Sequence, residues 1–506
     1  MVKPSSANVW KISLTDFAKR NGGLISVIIG LLLLYAALPL GTAFQFSEDE
    51  GFEVMKPFLC NKGFVLYTEI WSDQPPMFTL VLAAFFKAFG PTILTARLVV
   101  AGFGLVLFAC FYEIIRRRSG QRAALLASFF LLAAPGVLLL SVSAMQEIPT
   151  MSMGLLSAWL ASKWGQRKQL AWLIFSGAAL GLAIQIKLTA VLLAPAILIE
   201  FLLQSSGKSM PPWKRETMLR ILIWGTSVVV VLSVIGLTWG RGSFEISLKS
   251  HLGGQAVPGL DRIEDHKFET KLLWMHMECL LAAGLGVIIA FSRKRFREIA
   301  FPVTLLMTDS IIHVIHKPWW NYYYLHLAIP VGWLVGWTIN EIVQGVLQRY
   351  GKRHFNLKSG AAWGRIGLCA LVAVVIARSE RRLEGSVKDL HDHPRIDADP
   401  LVQEMRKYTG RVKWVYAEPV IYAFHTQIPV PPELAVVSPK RFWSGQITTQ
   451  KIIAICKRYD ADMLLLPMPT IRDEIWNGLL SSDYVKTKDA DKSSLHLVKK
   501  MPPVKN

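Results

Sequence analysis

Long apolar runs separated by short basic clusters dominate the first three-quarters of the chain. The runs fall near 23–43, 93–115, 123–143, 149–165, 170–186, 188–204, 221–239, 271–291, 299–315, 322–342 and 366–378. Most are close to the ~20 residues a helix needs to cross a hydrocarbon core, which predicts about eleven transmembrane helices. The first run lacks a small-residue cleavage site and is followed by many others like it, so it reads as a retained span and not a signal peptide. Leu170–Leu203 is too long for one span, about 50 Å at 1.5 Å per residue, and both its flanks are basic. Two short spans turning at Gln185-Ile186-Lys187 satisfy both length and charge, and place a lone lysine at the outer surface. The segment Pro76–Phe89 is apolar but short and carries Lys87, which suits a helix lying at the membrane interface.

Basic clusters at Lys11–Arg20, Arg116–Arg122, Lys163–Lys168, Lys208–Arg220, Arg293–Arg297 and Arg349–Arg365 all fit the cytoplasmic side. The amino terminus is then cytoplasmic, and the segments 44–92, the turn at Gln146-Glu147, 240–270 and everything after about 379 face outward. From Asp399 the pattern changes to short strand-like and helical stretches, Val412–Tyr416, Ile447–Arg458, Met463–Leu466 and Leu495–Val498, as in a small α/β domain. The expected architecture is an all-α polytopic membrane bundle over 1–378 with a first outer loop at 44–92, a linker at 379–398, and a small C-terminal extracytoplasmic α/β domain over 399–506.

Composition agrees with a membrane class. The 506 residues are 52% hydrophobic and 18% charged. The net charge of +20 would suggest nucleic acid in a soluble protein, but here it sits in the clusters that set topology, so no nucleic-acid partner is expected. Of the five cysteines, Cys110, Cys279 and Cys369 fall in apolar runs, which leaves a Cys60–Cys456 disulfide open. His251, His266, His313 and His316 lie in different loops without a ligand spacing, and core or surface histidines are the favoured reading. No cofactor is assigned, and a divalent metal stays open.

The chemistry should lie in the outward segments. Ser47-Glu48-Asp49-Glu50-Gly51-Phe52-Glu53 carries four acids beside the membrane, which suit either a solvated acidic flank or a proton-accepting centre. Beyond it come Tyr67-Thr68-Glu69-Ile70-Trp71-Ser72-Asp73-Gln74-Pro75-Pro76, Ala96-Arg97-Leu98, Met145-Gln146-Glu147-Ile148-Pro149, Lys187-Leu188-Thr189 and His316-Lys317-Pro318-Trp319-Trp320-Asn321-Tyr322-Tyr323-Tyr324. In order and spacing these resemble the GT-C class of polytopic glycosyltransferases, specifically the protein mannosyltransferase and aminoarabinose lipid A transferase superfamily. The resemblance covers about residues 20–345. Glu147 stands where many relatives carry aspartate, and nothing after 379 matches a motif.

The resemblance implies inverting transfer of a sugar from a polyprenyl-phosphate donor to a lipid, glycan or protein acceptor at the cell inner membrane. It maps the candidate base onto Asp49, with Glu50 and Glu147 as further catalytic carboxylates. The departing phosphate needs cations, for which Lys187, Lys317 and Arg97 are the candidates, each also explicable as a helix-end or interfacial residue. Tyr67, Trp71, Gln74, Trp319, Tyr322 and Tyr323 are candidates for sugar and acceptor contacts, since hexose faces pack on aromatic rings. The rival reading is a transporter or flippase of a lipid-linked substrate, but the repeated halves or matched broken helices such proteins show are not visible.

Overall fold

The computed structural model describes residues 6–167, 169–205, 215–239, 268–350, 360–443, 445–467, 474–490 and 493–498. His251, His266 and most of the outward segment 240–270 lie outside them. The apolar runs become helices in the expected order. The first is α1 (Ser6–Ala37). In the first outer segment follow α2 (Glu50–Asn61) and α3 (Met77–Phe89). The 93–115 and 123–143 runs become α4 (Ile93–Leu132) and the short α5 (Val137–Val142). Within α4 the backbone breaks at Gly120, whose φ of 86° is open to glycine at no steric cost, so α4 holds two helices joined at the basic cluster.

Next come α6 (Glu147–Arg167) and α7 (Leu170–Ile186). The long 170–203 run breaks at Lys187, an extended residue, and resumes as a 3-10 turn and α8 (Ala194–Ser205). The bundle is completed by α9 (Arg215–Trp239), α10 (Lys271–Met275), α11 (Met277–Ser292), α12 (Phe296–Ile315), α13 (Tyr324–Tyr350) and α14 (Gly360–His391). Among the described residues, three helices, α4, α9 and α12, are by length and composition long and apolar enough to cross a membrane. The predicted run at 366–378 is only the middle of a 32-residue helix.

Helix α13 is the axis of the bundle. Every residue from Tyr323 to Ile342 is buried, as expected of a helix apolar nearly all round. Its closest neighbour is α4, and glycine makes that approach possible. A Cβ on Gly336 would stand 2.4 Å from the Ala127 backbone nitrogen, and one on Gly332 would stand 3.1 Å from that of Leu131.

The C-terminal region opens with α15 (Pro400–Arg406) and β1 (Val415–Ala417), then α16 (Ile421–His425), α17 (Pro439–Trp443) and α18 (Thr449–Arg458). Strand β2 (Met463–Pro467), α19 (Glu474–Asp483), β3 (Tyr484–Ala490) and β4 (Ser493–Val498) follow. The sheet order is β1-β2-β4-β3, with β1 parallel to β2 and the other pairs antiparallel. Strand β3, in which Val485 and Thr487 alternate with Lys486 and Lys488, is not among the strand-like stretches read from the sequence. Alternation along the strands sends Val415, Ala417, Met463, Leu465, Leu495 and Leu497 into the same core as the bundle. Tyr416, Leu464 and Leu466 face a smaller second core with Ile452, Cys456 and Trp476. Cys60 and Cys456 are both free thiols, and Cys456 is buried in that second core.

Candidate active site at the outer end of the bundle

The first outer segment is folded by its own acids. Asp49 sits at the N-cap of α2, yet its side chain makes no capping bond, which leaves the carboxylate to face elsewhere. Glu50, one residue on, turns into the bundle and is fully buried. It accepts two charge-assisted bonds from Arg97, Nε to Oε1 at 3.0 Å and Nη2 to Oε2 at 2.8 Å, and bonds from the Phe46 and Ala144 amides. Arg97 also donates to the Leu40 and Ala43 carbonyls at 2.8 and 2.9 Å. Every oxygen and nitrogen of this buried pair thus finds a partner, the condition under which such a pair is tolerated. The pair fixes where α1 ends, where α2 begins and where the 144–147 turn lies.

Asp49, Glu53, Asp73, Gln74, Glu147, Lys187 and Tyr322 instead line a cavity of about 890 Å³. Three ion pairs border it. Lys56 meets Glu53 at 2.9 Å, Lys187 is bonded to Glu147, and Lys440 meets Asp73 at 3.4 Å. Gln146 ties the second outer turn to the first by donating to Glu53 at 2.9 Å. Lys187 is 5% exposed, so it is held inside and does not stand at an open surface as expected. Its ammonium lies 4.5 Å from the Tyr322 ring centroid and 5.1 Å from that of Tyr323. Burial, reinforced by Glu147 and Glu53, pushes the Asp49 carboxyl up to about 6 against the opposing pull of Lys187.

Tyr67, Trp71, Trp319 and Tyr323, also singled out in the sequence, are not among the residues that line the cavity. The Tyr67 hydroxyl donates to the Gln74 carbonyl at 2.8 Å and holds the loop that carries Asp73. Trp71 lies under the Arg441 guanidinium at 4.8 Å. Trp319 is buried against Phe268 with ring centroids 5.1 Å apart. Tyr323 is buried behind Tyr322, edge to face at 5.0 Å. Lys317 is half-buried and, like Arg97 and Glu50, is not among the cavity-lining residues.

The roof of the cavity was not anticipated. Ala417–Val420 and Leu434–Trp443 of the C-terminal region close it and bring in Glu418 and Lys440. Burial disfavours the charge on Lys440, but Asp73 and Tyr323 together outweigh it and raise its pKa above the usual lysine value. The roof is anchored by His425 Nε2 to the Phe44 carbonyl at 2.7 Å, by Gln427 donating to the Pro91 carbonyl at 2.9 Å, and by Trp443 stacked on Trp320. The run Ser438-Pro439-Lys440-Arg441-Phe442-Trp443, basic and aromatic after a proline turn, was the available signal.

Residues 73–239, a third of the chain, match the family described as dolichyl-phosphate-mannose-protein mannosyltransferase. The whole chain is similar in structure to ArnT from Cupriavidus metallidurans bound to undecaprenyl phosphate, at TM-score 0.61 and 15% identity, over 96% of this chain and 100% of that one. The chain has the GT-C glycosyltransferase fold. The apo state of the same ArnT gives TM-score 0.61 and 15% identity over 97% and 98% of the two chains. The archaeal oligosaccharyltransferase AglB from Archaeoglobus fulgidus, in complex with an inhibitory peptide and a dolichol-phosphate, gives 0.56 and 10% over 96% and 75%. Curated proteins give no sequence match. Family match and fold together support the PMT/ArnT-like GT-C superfamily read from the motifs, a class of multi-pass membrane glycosyltransferases.

Proposed function

We propose that this cavity transfers a sugar from a polyprenyl-phosphate donor to an acceptor hydroxyl on the extracytoplasmic side of the inner membrane, with inversion. The observation that carries the reading is Asp49, a recessed carboxylate titrating near 6, in one cavity with Lys187 and Lys440. The neighbours whose names mention undecaprenyl phosphate and dolichol-phosphate support a lipid-linked donor.

The acceptor oxygen attacks the anomeric carbon as the bond from that carbon to the phosphate oxygen breaks, and the electron pair leaves with the phosphate. The acceptor's proton passes to Asp49, which is ionised at neutral pH yet basic enough to take it. The leaving phosphate needs no proton, so one carboxylate suffices, in contrast with the two used in glycoside hydrolysis. Lys187 and Lys440 stabilise the departing charge. Both are held by carboxylates, Glu147 and Asp73, which keep the two cations in place for a phosphate to bridge. Glu147 thereby orients Lys187 and raises the basicity of Asp49. Gln74, Tyr322 and Trp320 offer polar and aromatic surface for the sugar. Glu50 and Arg97 act through the frame that positions Asp49.

Asp49→Asn keeps the side chain's size but cannot accept the proton. Single-turnover transfer should fall by about 10²- to 10⁴-fold while donor binding stays within twofold. Turnover retained in Asp49→Asn removes the base from this mechanism.

A further inference from the structure

A second cluster of ligating side chains lies one aromatic layer behind the cavity. Asp309 and His313 are four residues apart on α12 and so share a face near its end. His326 comes from the first turn of α13. The ligand atoms of the three lie within 4.8 Å of one another, and all three residues are at most 1% exposed. His313 Nε2 and His326 Nδ1 are 2.9 Å apart. Neither Asp309 oxygen has a hydrogen-bond partner, and the outer nitrogens, His313 Nδ1 and His326 Nε2, also lack one.

An ionised carboxylate enclosed without a donor or counter-charge is strongly unfavourable. A divalent cation resolves it by replacing the hydrogen bond between the two imidazoles. Bonds of about 2.0–2.1 Å put the ligand atoms of a tetrahedral ion roughly 3.3 Å apart. The histidine nitrogens need separate by only a few tenths of an ångström for this, and rotation of the Asp309 side chain brings in the third ligand. We propose that Asp309, His313 and His326 form a buried binding site for a borderline-soft divalent cation, Zn²⁺ by its two imidazoles and one carboxylate, with water as the fourth ligand. The site stands on the geometry of α12 and α13 and does not depend on the proposed reaction.

The position gives the ion a purpose. Tyr323 stacks on His313 with centroids 5.2 Å apart, and Tyr323 with Tyr322 forms the aromatic face that receives Lys187. A cation there ties the end of α12 to the start of α13 and fixes the platform beneath the cavity's lysine.

The test is metal content of the full-length protein in nanodiscs, incubated with Zn²⁺, desalted and analysed by mass spectrometry, with Co²⁺ loaded in parallel for its visible ligand-field bands. One Zn²⁺ per chain is expected in the wild type and in Asp49→Asn. At least a tenfold loss of retained metal is expected in His313→Ala and in the isosteric Asp309→Asn. Wild-type melting should rise on Zn²⁺ addition and fall on chelation, a readout that holds even if a variant does not fold. Wild type that retains no metal overturns the site. So does metal lost in Asp49→Asn or Glu147→Gln but kept in the folded Asp309→Asn, because that ion belongs to the cavity.

Discussion

Four acids stand within six positions at the outer end of α1, and the structure gives them different surroundings. Glu48, Asp49 and Glu53 all line the cavity, but Glu48 is exposed, Asp49 is half-buried and Glu53 is held by Lys56 and Gln146, while Glu50 is locked to Arg97 away from it. The division has consequences for pH. As the proposed base, Asp49 has to be ionised to accept a proton, and its carboxyl is pushed up to about 6, so kcat/KM should be flat above neutrality and fall about tenfold per unit as pH drops below 6. A profile that stays flat to pH 5 contradicts the assignment. Glu50→Gln strands the buried Arg97 charge, so it should destabilise by about 3–5 kcal/mol, read as loss of thermal stability before any effect on chemistry. Asp49→Asn should melt at nearly the wild-type temperature. Lys187→Ala should raise the donor KM more than the acceptor KM, since it removes charge from the phosphate side. Equal donor parameters in mutant and wild type return Lys187 to a packing role.

Among the elements, the helices were legible because their signal is local. An apolar run of membrane length is visible in any window, and the break at Lys187 follows from length and flanking charge alone. The Asp49, Glu147 and Lys187 positions were legible for a different reason, namely motif order. What the sequence did not disclose depends on contact between distant segments. Arg97 reads as a free cation at the start of a span until Glu50, 47 residues away, is seen to take it. Asp309 and His326 were overlooked because they belong to apolar runs, where polar residues are outnumbered. The roof, too, is a matter of docking. Helix α16 packs on α2 at Gly51, where a Cβ would come within 3.0 Å of the Ile421 nitrogen and of a Val420 methyl. Gly51→Leu should therefore lift the 417–425 segment, with faster proteolysis of the C-terminal region and at least a tenfold loss of transfer. Unchanged cleavage in a folded Gly51→Leu protein would mean that the roof does not depend on this contact.

For the whole molecule, one sheet face shares the bundle's core and the roof closes the cavity, so the C-terminal region and the first outer segment must occupy the same side of the membrane. By the positive-inside rule the basic clusters predict that the other side faces the cytoplasm. Reporters placed after Arg297 and Gly360 should read cytoplasmic and one after Lys440 extracytoplasmic, and a cytoplasmic Lys440 would detach the cavity from its proposed donor and acceptor. A transferase and a flippase with this architecture differ in the fate of the bond between sugar and phosphate. The decisive measurement is incubation of the purified protein in nanodiscs with a panel of polyprenyl-phosphate sugars and hydroxyl acceptors, following free polyprenyl phosphate and glycosylated acceptor together. The two products should appear in equal amounts with inverted anomeric configuration. A donor that stays intact across the panel, or crosses the bilayer in liposomes with its sugar still attached, would contradict the assignment of this cavity to glycosyl transfer.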